Sequence, residues 1–194
     1  ESLQAQGEIA LALDEKPNIQ ALHGAHPTQP MRPGQIQRRE FEYERHGVVN
    51  FLALLNIHNG QMRSSCLDHN DSENFCRALP RLLQPFHSAR RIHLICDGGP
   101  SHIAAATTSF LHSHYGSRLR LLLTPAHASW LNQAELLLKS FGLRYITRGE
   151  WNNRQNLINH LIASTPEYNR LWAQPINWSW TRRDLHEWAE KKAS

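Results

Sequence analysis

Three acids stand where the apolar periodicity places core-facing side chains. Asp14 closes the run IALALD (9–14), and strict alternation sets it on one face with Ala10 and Ala12. Asp97 closes RIHLICD (91–97), sharing a face with His93 and Ile95 at the carboxyl end of what reads as a central strand. Glu135 follows Trp130 in a helical stretch and lies beside the stripe Leu131, Ala134, Leu138 and Phe141. A carboxylate near a core is costly unless it meets a cation. Two aspartates and a glutamate from two strand ends and a helix would cage two divalent ions, roughly 3.5 to 4 Å apart, for phosphodiester chemistry. Such a site suits Mg2+ or Mn2+ and needs no separate general base, because coordination itself activates the attacking oxygen. Each acid also has a plainer reading: Asp14 as a turn residue, Asp97 as the start of a turn, Glu135 as a solvated helix residue. Spacing alone leaves both readings open.

The elements that must position these acids can be read in order. After IALALD comes a Pro- and Gly-rich connection, 17–47, too long to be idle in a compact domain and expected to be an inserted basic loop or hairpin. Val48–His58, the turn Asn59-Gly60 and Gln61–Asp68 read as a β-hairpin. Asp71 to Phe86 carries Phe75, Ala78, Leu79, Leu82 and Leu83 at helical spacing behind an Asn/Asp/Ser cap cluster, with Pro80 as a possible kink. Arg91–Asp97 is a strand, GGPSH a turn, HIAAATTSFLHSHY a helix and Leu119–Pro125 a strand, followed by helices over 129–147 and 153–164. Three antiparallel strands and then α-β-α-β-α give an α/β fold of the ribonuclease H-like order, a mixed five-stranded sheet with helices on both faces. The 194 residues suffice for one such domain, with 176–194 as an amphipathic C-terminal tail helix whose Leu185 and Trp188 would dock on the body or on a second subunit.

Composition narrows the function classes. No apolar run has the length of a membrane span and the opening lacks the order of a signal peptide, so a cytoplasmic location is expected, with no membrane partner. Cys66, Cys76 and Cys96 are odd in number and unpaired in any CxxC, which argues against a disulfide frame or a zinc knuckle. Thirteen histidines include the pairs His23/His26 and His112/His114, neither with a partner at structural-zinc spacing. The net charge of +4 permits a polyanionic partner. It gains weight from clustering at Arg32, Arg38, Arg39 and Arg45, which could track a phosphate backbone as DNA-binding residues or be merely solvated, and at Arg144, Arg148, Arg154, Arg182 and Arg183.

The segments LDEKPNIQAL (13–22), EYERHGVVNFLALLN (42–56), LICDGGPSH (94–102), TPAHASWLNQAELLLKSFGLRYITRG (124–149) and INWSWT (176–181) resemble the DDE-type transposases of bacterial insertion sequences related to the mariner superfamily. They occur in the right order across nearly the whole chain, and the TP…SWLNQ.E block is the most specific. The resemblance implies a ribonuclease H-like fold, divalent metal, and cut-and-paste transposition of DNA by a homodimer or larger synaptic complex, without a small-molecule cofactor. By position, Asp14, Asp97 and Glu135 match its three catalytic, metal-holding acids, with 82 and 37 residues between them. The sequence departs at Gly98, where the family usually has Asn. The family's N-terminal helix-turn-helix region is not among these residues, so weak and poorly specific DNA binding is expected of this chain alone. The resemblance further implies a bacterial, nucleoid-associated enzyme. Two other outcomes stay open: a domesticated, non-catalytic DNA-binding remnant, and a related nuclease on the same fold.

A second tier supports the acids. His102, five residues beyond Asp97, matches a recurrent family histidine that would orient Asp97 or approach a phosphate, unless it merely makes a local hydrogen bond near a helix start. Asn132 would cap or orient the turn before Glu135, with Trp130 packing beneath the site or stacking on a base.

Overall fold

The computed structural model describes residues 3–25, 33–34, 42–125 and 131–176. Five strands form one mixed sheet in the order β3-β2-β1-β4-β5. They are β1 (Glu8–Gly24), β2 (Tyr43–Asn56), β3 (Met62–Leu67), β4 (Arg91–Cys96) and β5 (Leu119–Leu123). β1, β2 and β3 are antiparallel neighbours, while β4 runs parallel to both β1 and β5. This is the ribonuclease H-like arrangement that the element order predicts, with β1 at the centre. Ala10, Leu11, Ala12 and Leu13 are all buried, because helices cover both faces of the sheet there.

Two apolar layers result. On one face Ala12, Phe51, Ala53 and Leu55 pack under α4 (Gln133–Tyr145) and α5 (Arg154–Trp172), where Phe51 stacks on Phe141 at 5.1 Å between ring centroids. On the other face Leu11, Leu13, Leu52, Leu94 and Cys96 pack under α1 (Ser72–Leu83) and α3 (Ala105–Tyr115). The stripe Phe75, Ala78, Leu79, Leu82 and Leu83 is buried, and α1 continues through Pro80 behind its N-cap, Asp71, whose carboxylate accepts from Asn74 N at 2.8 Å.

The sequence-based boundaries differ in four places. First, residues 17–24 and 43–47 are not loop: they extend the β1–β2 hairpin, pairing as far as Gly24↔Tyr43. Pro17 does not end the strand because it falls in an irregularity between Lys16 and Ile19, where Asn18 takes φ 54° and the buried Asn50 Oδ1 accepts its N–H at 3.0 Å. Second, β2 stops at Asn56 and the β2–β3 turn spans 57–60, closed by Gly60 N to Asn56 O at 2.8 Å; at Gly60 (φ 73°) any Cβ would sit 2.0 Å from Gln174 O. Third, the helix expected from His102 to Tyr115 begins earlier and breaks at Ala104 (ψ 145°), giving the one-turn α2 (Pro100–Ile103) and then α3. Fourth, α4 begins at Gln133, leaving Leu131 outside the helix, and α5 continues eight residues past Ser164 through Pro166. Burial of Tyr168 and the pair of hydrogen bonds between the Asn169 side chain and the Met62 backbone, 2.7 and 2.8 Å, offset the bond that Pro166 cannot donate.

The three cysteines are free thiols, and burial pushes Cys66 up to about 12, leaving it unreactive. Among the described residues, no helix is long and apolar enough to cross a membrane. The proposed tail helix of 176–194 lies, beyond Ile176, outside the described residues.

Candidate active site

The parallel pairing of β1 with β4 sets Ala12 opposite Ile95. Two residues further on, just past the end of the β1–β4 pairing, stand Asp14, midway along β1, and Asp97, directly after β4. That is where a parallel sheet leaves its crevice, because helices and loops diverge there. Asp14 is half-buried on the face covered by α4, and its carboxyl is pushed up to about 7. Burial is the largest cause; the backbone N–H of Glu15 opposes it, and the charges of Glu15, Asp97 and Glu135 add to it. The fold therefore gathers the three sequence-predicted acids into one electrostatic neighbourhood, with Glu135 exposed in the first turn of α4.

Asn132 sets where that turn begins. It is the N-cap of α4, its Oδ1 accepting from Ala134 N at 3.2 Å, and its Nδ2 donates to Leu13 O at 2.8 Å. The side chain is almost wholly buried. One amide thus ties the start of the helix that carries Glu135 to the peptide directly before Asp14, accepting with one atom and donating with another.

His102 lies on the opposite side of Asp97, in α2, with its ring 5.0 Å from that of Phe75. Its Nδ1 donates to Asp97 Oδ1 at 2.9 Å and lies 3.1 Å from Asp97 O, while its Nε2 donates to Glu15 Oε1 at 2.7 Å. Burial works against a charge on this ring, but Cys96 and Glu15 overcome it and raise the imidazole to about 11, so that it is protonated at neutral pH. Glu15 was not among the residues singled out from sequence. The alternation that places Asp14 toward α4 sends Glu15 to the other face, where its side chain is 7% exposed. Its partner is 87 residues away in sequence, so no local spacing announces the pair. Glu15, Asp97 and His102 each bring one donor atom within 4.8 Å of the others.

The loop after Asp97 is shaped by its second glycine. A Cβ at Gly99 would lie 3.1 Å from Asp97 Oδ1, and the Gly99 N–H already donates to that oxygen at 3.1 Å. Gly98, where the sequence departs from the pattern it resembles, has nothing within 4 Å of a Cβ position. The turn thus tolerates the departure at 98 and depends on 99.

Of the basic residues expected to meet DNA, Arg45 is exposed on β2 opposite Leu22, on the hairpin arm; Arg32, Arg38 and Arg39 lie outside the described residues, as do Arg182 and Arg183. Arg144 lies over the Trp172 ring at 4.3 Å, and Arg154 is engaged by Asp68 and Val48 O. His112 and His114 are exposed on α3 and His26 lies outside the described residues.

Comparison with known proteins bears on the fold and the family. The family model of the DDE superfamily endonucleases matches residues 11–158. Among solved structures, the chain is similar to the Mos1 mariner paired end complex with Mn (TM-score 0.60, 16% identity, 94% of this chain and 53% of that one). It is similar also to the Mos1 mariner paired end complex with Mg (0.57, 16%, 94% and 53%) and to the catalytic domain of Mos1 mariner transposase (0.55, 14%, 84% and 74%). The chain thus spans about half the length of the Mos1 chains in the paired-end complexes. No curated protein sequence matches it.

Proposed function

Because the chain belongs to the DDE superfamily of endonucleases, we propose that it is the catalytic domain of a DNA transposase, cleaving and joining DNA strands with Asp14, Asp97 and Glu135 as its metal-holding catalytic acids. The observation that carries the reading is the crowding at Asp14. Its carboxyl is pushed up to about 7 by burial and by the charges of Glu15, Asp97 and Glu135, as expected of an acid cluster that a cation would neutralise. Every donor offered by the triad is a hard oxygen, which fits Mg2+ or Mn2+. Two such ions would supply activation of the attacking oxygen, a water or a DNA 3′-hydroxyl, and stabilisation of the leaving one. The chain's own residues do the rest. Asn132 holds the start of α4 against β1, His102 and the Gly99 amide hold the Asp97 carboxylate, and Arg45 on the hairpin arm, with Arg32, Arg38 and Arg39, supplies positive charge toward the phosphate backbone.

DNA ends are the proposed substrate and a second copy of the chain the proposed partner, in keeping with the paired-end complexes formed by Mos1. The decisive experiment is Mn2+-dependent nicking of supercoiled plasmid by the wild type beside Asp97→Ala, with the fold of both checked by circular dichroism. Nicking by the wild type alone supports the reading; a folded wild type that neither nicks plasmid nor binds Mn2+ overturns it.

A further inference from the structure

Glu15 is a nearly buried carboxylate, and a buried carboxylate costs free energy unless charge or hydrogen bonds answer it. It is answered by His102, whose ring is 1% exposed and spans from Glu15 Oε1 (2.7 Å) to Asp97 Oδ1 (2.9 Å). Both ring nitrogens face carboxylate oxygens, so the imidazole links the two acids directly. The three groups form a strut from β1 on one side to the end of β4 on the other.

Asp97 needs such a strut. Its side chain is 41% exposed, and without a tether it would sample several rotamers. His102 Nδ1 and the Gly99 N–H both fall on Oδ1, which fixes the carboxylate from one oxygen and leaves the other for coordination. Phe75 closes the space beside the imidazole, so the ring is held by packing as well as by its acceptors. We propose that Glu15 is a positioning residue: acting through His102, it presets the Asp97 carboxylate for the metal, from the face of the sheet opposite to Asp14.

The inference rests on the reading of Asp97 as a metal ligand, and its test separates the two. Mn2+ affinity, read by electron paramagnetic resonance on the full chain, is compared among the wild type, Glu15→Ala, Glu15→Met and Glu15→Gln, with the fold of each checked by circular dichroism. Ala and Met both remove the acceptor, one opening a space and the other filling it, so the comparison does not depend on one packing change. Each folded variant should bind Mn2+ about 10- to 100-fold more weakly, the usual consequence of losing a ligand's outer partner. Gln, which still offers His102 a hydrogen bond, should restore affinity to within about threefold of the wild type. Wild-type affinity in folded Glu15→Ala or Glu15→Met, or no recovery with Gln, overturns the proposal while leaving Asp97 as a ligand. A wild type that binds no Mn2+ removes both.

Discussion

Protonation at Asp14 sets what the site does with pH. A carboxyl that titrates near 7 in the folded chain, against an ordinary 3.8, must lose its proton before it can face a cation. Its contribution to folding has the same origin: stability present below the ordinary value is lost as pH rises through about 7, because ionisation in the crowded pocket is the unfavourable step. The metal-free chain should therefore melt at a lower temperature at pH 8 than at pH 5.5 as far as this group decides, and Asp14→Asn should flatten that difference. Mn2+ affinity should move the other way, weakening by up to about tenfold for each pH unit below 7, with proton release visible when the titration calorimetry is repeated in buffers of different ionisation heat. An affinity independent of pH between 5.5 and 8 would show that Asp14 is not a ligand. A finer test lies at Gly99. Gly99→Ala places a methyl 3.1 Å from Asp97 Oδ1, so the carboxylate must shift, and nicking should fall by roughly tenfold with little change in melting temperature. The acids themselves were legible in sequence because each ends or interrupts an apolar period. Glu15 was not, since a charged residue beside Asp14 and before Lys16 looks like solvent-facing polarity until the chain folds His102 over it.

At the scale of elements, the placement of α4 matters most, and one side chain governs it. Asn132→Ala removes the N-cap, about 1 kcal/mol, and leaves the buried Leu13 carbonyl without its donor, about 1 to 3 kcal/mol more. It also frees the turn that carries Glu135. Asn153 caps α5 in the same manner, accepting from Asn156 N at 2.8 Å, but at an exposed position away from the acids. Asn153→Ala should thus cost about 1 kcal/mol in urea denaturation and leave Mn2+ affinity untouched, whereas Asn132→Ala should lower both. Equal effects of the two on Mn2+ binding would reduce Asn132 to an ordinary cap. The sequence marks Asn132 through its type and its place before an amphipathic run, but not its second bond to β1, which joins residues 119 apart. The same distinction explains the errors in boundaries. The connection read as beginning at Pro17 and the helix read as ending at Ser164 were each extended by a distant partner: Asn50 at the irregularity beside Asn18, and Met62 beneath the last turns of α5. Strand order was legible because the hairpin signal and the alternation of later elements leave few ways to arrange five strands.

Across the whole molecule, the site joins parts that are otherwise held by separate cores. Among the described residues, α4 packs on the layer with Phe51 and Phe141, α1 and α3 close the layer with Leu11 and Leu94, and the sheet lies between the two. Asp14 and Glu135 belong to the first side; Glu15 and His102 belong to the second; Asp97 sits at the strand end between them. A cation held by β1, β4 and α4 would therefore act as a cross-link present only in the folded chain, and binding of that kind raises stability by mass action. At Mn2+ one hundred times its dissociation constant the gain is about 2.7 kcal/mol. For a chain of 194 residues, where each kcal/mol moves the midpoint by about 2 to 4 °C, that is a rise of about 5 to 11 °C at pH 8. Asp97→Asn should lose the rise, and its metal-free melting temperature should stay near that of the wild type, because relief of the repulsion around Asp14 opposes the weakening of the charged hydrogen bond from His102. A metal-induced rise of the same size in Asp97→Asn would place the cation elsewhere on the molecule, and a metal-free Asp97→Asn much less stable than the wild type would mean that Asp97 serves the fold before it serves the chemistry.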